Sequence, residues 1–114
     1  MRRYLCLCGG GEFRSKTAAA VLREIARERG IDIFVDSGAV DFLVKPVSAE
    51  TARYYEQFDK VIVMKPYMAE KAHRFLGIDS SRMRCIDVPD DYRTEEKLAE
   101  PRVLLRPKLR DIID

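Results

Sequence analysis

No apolar stretch in this sequence is long enough to cross a bilayer. Its basic start, Met1 to Arg3, is followed only by the short run Tyr4–Cys8 before glycine intervenes, far below the roughly 20 apolar residues of a membrane helix and short for a secretory leader. Cysteine is scarce and odd in number, with three residues at positions 6, 8 and 85. That count fits neither a disulfide framework nor a paired CxxC zinc site, and it suits a reducing compartment. Histidine occurs once, as His73, without a partner at ligand spacing, so neither a metal nor another cofactor is expected. Neither sign of charge dominates. The 21 basic and 19 acidic side chains leave a net charge of +2, too small for a broad field directed at nucleic acid or membrane. Repeats, low-complexity tracts and linkers are also missing. What remains is a chain of 114 residues, 46% hydrophobic and 35% charged, which reads as one soluble domain over 1–114 working in the cytoplasm, with no signal for an oligomeric state.

Short apolar runs alternate with helix-like segments along this chain. Tyr4 to Leu7 reads as a first strand, after which Ala18, Val21, Leu22, Ile25 and Ala26 recur at helical spacing until Gly30. The run "IDIFVDS" reads as a second strand, and Ser48 as the N-cap of a helix carrying Ala49, Ala52, Tyr55 and Phe58. A buried third strand, "KVIVM", precedes a helix framed by Pro66 and Gly77, the usual order of a first proline and a closing glycine. "RMRCID" supplies a fourth strand. A last helical segment starts at Pro101, is interrupted or bent by Pro107, and carries the stripe Leu105, Leu109, Ile112 and Ile113. The order βαβαβαβα predicts a small doubly wound α/β domain with a four-stranded parallel sheet and helices on both faces.

Ligands of such sheets bind beyond the carboxyl ends of the strands, which is where Cys8 to Arg14 lies. Three of the six glycines stand together there, at 9, 10 and 11. Glycines in series let backbone N–H groups converge on one anion, and the helix beginning near Ser15 adds the positive end of its dipole. The same field stabilises a thiolate, which makes Cys8 a nucleophile. Arg14, with its planar fork, suits two oxygens of a phosphoryl group, and Ser15 is placed to hydrogen-bond the sulfur. The bland alternative is a tight strand-to-helix turn in which Cys8 packs as a small hydrophobe. Cleaving a phosphate ester also requires a proton for the departing oxygen. "DVPDDYR", just after the fourth strand, offers Asp87, Asp90 and Asp91 for that role, against the alternative of a polar turn facing water.

Several of these segments resemble the low-molecular-weight protein tyrosine phosphatase family, in a shortened and divergent version. The likeness rests on the Cys-x5-Arg-Ser loop, on "VDSGAV", similar to the family's Ser-Ala-Gly segment, on "FDKVIVM", and on "VPDDYR", similar to its Ile-Pro-Asp-Pro-Tyr-Arg. The resemblance implies Cys8 as nucleophile, Arg14 as phosphate clamp and Asp90 as general acid and base. Asp91 then falls on the family's proline, and Asp87 at the end of the strand. It also implies a phosphate-binding set of Gly9, Gly10, Gly11, Glu12, Phe13, Arg14 and Ser15, with Tyr92 at the cleft mouth. The expected substrate is a phosphomonoester, above all phosphotyrosine in protein, cleaved without metal through a cysteinyl-phosphate.

Departures from the family pattern are concentrated in the loop. Gly11 stands where the family has Asn, Phe13 where many members have a second cysteine, and Lys16 where proline is usual. Glu12 is a carboxylate inside an anion loop, and on the rim it would disfavour acidic substrates and favour those with basic neighbours. Cys6 and Cys85 read as buried core residues. Two alternatives on the same scaffold are a non-catalytic phosphate-binding module and an arsenate reductase, although the latter needs two further cysteines close in sequence.

Overall fold

From Tyr4 onward every side chain of the first strand, Arg2–Cys8 (β1), is buried, the pattern of a strand covered on both faces. The computed structural model describes residues 1–10, 14–86 and 99–113, and of residues 99–104 only the backbone. After β1 the order is α1 (Arg14–Arg29), β2 (Ile33–Ala39), α2 (Ala49–Glu56), β3 (Lys60–Val63), α3 (Pro66–Leu76), a 3-10 turn at Ser80–Arg82, β4 (Met83–Cys85) and α4 (Ala99–Arg110). The sheet order is β2-β1-β3-β4 and every pairing is parallel. The predicted α/β architecture is therefore the observed one. Because β2 and β3 flank β1 on opposite sides, the chain reverses its winding between β1 and β3, which opens a crevice at their carboxyl ends.

One helix group, α1 with α4, packs against β1 and β2, and the other, α3 with α2, against β3 and β4. The stripe Ala18, Val21, Leu22, Ile25 and Ala26 of α1 is buried, as are Leu105 and Leu109 of α4. Each large aliphatic side chain so enclosed contributes about 1.5–3 kcal/mol. Polar clamps fix the seams. Arg29 donates to the carbonyl of Ile113 at 2.7 Å, and Lys60 to that of Ile112 at 2.7 Å. Arg82 donates to the carbonyls of Tyr55, Glu56 and Phe58 at 3.3, 3.2 and 2.8 Å, closing the end of α2.

Ser48 caps α2 through its hydroxyl, which accepts from the Thr51 amide, and α3 runs from Pro66 to a left-handed Gly77 with φ of 73°. Two expectations are corrected. Cys85 is exposed, because β4 is a three-residue edge strand that covers little on its outer side. Of the interruption or bend expected at Pro107, the interruption does not occur, since α4 continues to Arg110; the missing N–H costs one bond, to the carbonyl four residues earlier, and the turn beyond it still forms.

On β2, Asp36 accepts a hydrogen bond from the Tyr54 hydroxyl of α2. Burial, followed by the hydrogen bond and negative charge of Asp36, pushes the Tyr54 phenol up to about 12. The folded value lies above the ordinary one of about 10, so this contribution to stability is complete below pH 10 and is lost as pH rises through 12. Urea titrations across that window should show a steeper fall in stability for the wild type than for Tyr54→Phe. Equal slopes would rule the pairing out.

Candidate active site

Cys8 ends β1, and its thiol lies 3.2 Å from the Ser15 hydroxyl in the first turn of α1. The two residues are 2% and 0% exposed. Arg14, the first residue of the helix, is buried as well, at 6%. Strand end and helix start thus bring Cys8 and Ser15 into contact, with Arg14 buried next to Ser15 in the chain. Ser15 can donate to the sulfur when that is ionised and accept from it when it is not, so the pair serves both states.

The charge pattern of α1 is unusual for a helix start. Its first turn holds no acid and contains Arg14 and Lys16. Cations there oppose the helix dipole, at about 0.3–1 kcal/mol each. An oxyanion bound at the same end reverses the sign of that interaction. Cys6, two residues earlier in β1, has a different setting. Burial pushes its thiol up to about 12, with Cys8 and Asp36 adding to the shift and Arg23 opposing it. Cys6 is a core residue, as predicted.

A second loop completes the described part of the site. The amides of Val40 and Asp41 donate to the carbonyls of Cys8 and Gly9 at 3.0 and 3.1 Å, extending the β1–β2 ladder past both strand ends. The Asp41 carboxylate accepts from Tyr67 of α3 at 3.1 Å, and Lys71 donates to the main-chain carbonyls of Asp41 and Val40 at 3.1 and 3.4 Å. Asp41 lies directly over Gly9, where an added Cβ would stand 2.9 Å from the Asp41 Cγ and 3.0 Å from the Tyr67 hydroxyl. Gly9 is buried and Gly10 exposed. Beside Tyr67, a groove of about 260 Å³ is lined by Leu43, Tyr67, Glu70, Lys71, Arg74 and Phe75.

Asp41 and Tyr67 escaped the sequence reading. The register would have found Asp41, because Cys8 pairs with Ala39 and the next residues must therefore face the start of the loop. Gly11, Glu12 and Phe13 lie outside the described residues, as do Asp87, Asp90, Asp91 and Tyr92. Among the described residues no group of three His, Cys, Asp or Glu side chains is gathered closely enough to hold a metal ion. No described helix is long and apolar enough to cross a membrane.

No protein-family model matches the sequence, and no curated protein does either. The fold, by contrast, resembles that of low molecular weight protein tyrosine phosphatases. A solution structure of such a phosphatase from Bacillus subtilis aligns with a TM-score of 0.74 at 18% identity, over 96% of this chain and 93% of that one. YwlE from Bacillus subtilis, as an arginine phosphatase variant with a phosphorylated active-site serine, aligns at 0.77 and 18%, over 97% and 93%. The tyrosine phosphatase Wzb from Escherichia coli K30, in complex with phosphate, aligns at 0.71 and 19%, over 98% of each chain.

The contact of Asp41 and Tyr67 with Gly9 has a measurable consequence. Gly9→Ala should displace the Asp41 carboxylate and break its hydrogen bond to Tyr67, lowering stability by about 1 kcal/mol. In an Asp41→Ala background the same change should have less effect, a coupling that a double-mutant cycle in urea detects. Equal losses in both backgrounds would contradict the contact.

Proposed function

We propose that the protein is a cysteine-dependent phosphatase acting on phosphomonoesters, with phosphotyrosine in protein as its substrate class. The observation that carries this reading is the buried Cys8–Ser15 pair at 3.2 Å, set where β1 ends and the acid-free first turn of α1 begins. The likeness of fold to tyrosine and arginine phosphatases supports it.

In this mechanism the phosphoryl group sits over the loop that follows Cys8, with the Arg14 guanidinium gripping two of its oxygens. The Cys8 thiolate, stabilised by the Ser15 hydroxyl and the helix end, attacks phosphorus. The P–S bond forms as the P–O bond to the leaving group breaks. Asp90 gives its proton to the departing oxygen and so becomes the base for the second step. Water then attacks the cysteinyl-phosphate, giving a proton to Asp90 and releasing inorganic phosphate and the thiolate. Gly9, Gly10, Gly11, Glu12 and Phe13 supply the amides of the cradle, and Tyr92 flanks the aryl group. A thiolate nucleophile works in a reducing compartment, in keeping with action in the cytoplasm.

Purified protein should hydrolyse p-nitrophenyl phosphate and phenyl phosphate. Cys8→Ser should abolish both activities. Asp90→Asn should slow phenyl phosphate by about 10²- to 10⁴-fold and p-nitrophenyl phosphate less, because nitrophenolate departs with little need of a proton. Phosphate affinity without turnover would replace the enzyme with a binding module.

A further inference from the structure

Asp41 raises a question that the phosphatase reading leaves open. A carboxylate is held directly over the first residue of an anion-binding loop, where it repels the phosphoryl group that the site is proposed to bind. It is exposed, and it is fixed from two sides: its amide donates to the Gly9 carbonyl at 3.1 Å, and one carboxylate oxygen accepts from Tyr67 at 3.1 Å. Lys71 is near, but its ammonium donates to the main-chain carbonyls of Val40 and Asp41, not to the carboxylate. Among the described residues no ion pair to the Asp41 side chain is present. An anion in this position lowers affinity for any phosphate whose surroundings are neutral or acidic. It raises affinity only where the substrate brings its own cation to the rim.

We propose that Asp41 is a specificity residue that accepts a cationic group of the substrate, a guanidinium or ammonium lying beside the phosphoryl group. The proposal rests on the phosphatase reading and deepens it. Its physical content is a pairing of charges: the substrate cation lies against Asp41 while the phosphoryl oxygens lie against Arg14 and the helix end. Tyr67 is a positioning residue for this contact, because its hydroxyl donates to one carboxylate oxygen, Oδ1, while the other, Oδ2, lies against Gly9 at the start of the loop. The cation has two chemical sources. It is either part of the phosphorylated group itself, as in phosphoarginine, or a lysine or arginine next to a phosphotyrosine.

The test compares kcat/KM for phenyl phosphate, the reference without a cation, and for three further substrates in the wild type, Asp41→Asn and Tyr67→Phe. The three are a phosphotyrosine peptide flanked by arginines, the same peptide flanked by glutamates, and free phosphoarginine. In Asp41→Asn the preference for the basic over the acidic peptide should fall by about five- to tenfold, the scale of one charge pair at the edge of solvent. Tyr67→Phe should lower it by a smaller factor. A fall confined to phosphoarginine, measured against phenyl phosphate, assigns the cation to the phosphorylated group, whereas a fall confined to the peptides assigns it to a neighbouring residue. Both support the role of Asp41. Each ratio is taken within one preparation, so a loss of folded protein cancels. Persistent turnover with unchanged ratios in Asp41→Asn would overturn this proposal and leave the phosphatase standing. No turnover of any substrate by the wild type would overturn both.

Discussion

The sulfur of Cys8 can meet the Ser15 hydroxyl only if β1 ends where α1 begins, one loop apart, and the rest of the molecule is arranged around that junction. The strand is central in the sheet, with β2 on one side and β3 on the other, and it is buried from Tyr4 to Cys8. Its end therefore cannot drift. The helix is pinned by its own stripe, Ala18 to Ala26, and by α4 behind it. The contact of Cys8 with Ser15 needs no separate support, because both elements are already held by burial that would be costly to undo.

Much of this could be read before any coordinates, for identifiable reasons. Local signals set the boundaries of α3: proline lacks an N–H that the first turn does not use, and glycine takes the left-handed conformation that ends the helix. Ser48 capped α2 on the same local grounds. The junction of Cys8, Arg14 and Ser15 was legible because glycines, a cysteine and an arginine stood together between a strand pattern and a helix pattern. Reading failed where the outcome depended on neighbours in space. Cys85 has the composition of a core strand, yet its strand lies at the edge of the sheet, and only the order β2-β1-β3-β4 decides that. Asp41 looks like any polar residue after a strand until the register places it over Gly9. The acid expected at Asp90 and the loop residues Gly11, Glu12 and Phe13 fall outside the described structure, so those expectations remain readings of sequence.

The same dependence on place distinguishes two cysteines that are chemically identical. Cys6 and Cys8 are two residues apart in β1, so their side chains leave the strand on the same face. Cys6 sits where the sheet is covered, and burial pushes its thiol up to about 12. Cys8, two residues further on, ends the strand and, buried as well, meets the Ser15 hydroxyl in the acid-free first turn of α1. A displacement of about 7 Å along the strand therefore separates a thiol enclosed by the core from one in contact with the Ser15 hydroxyl. The topology of the sheet determines where the crevice lies, and the end of β1 determines which of the two thiols stands beside it.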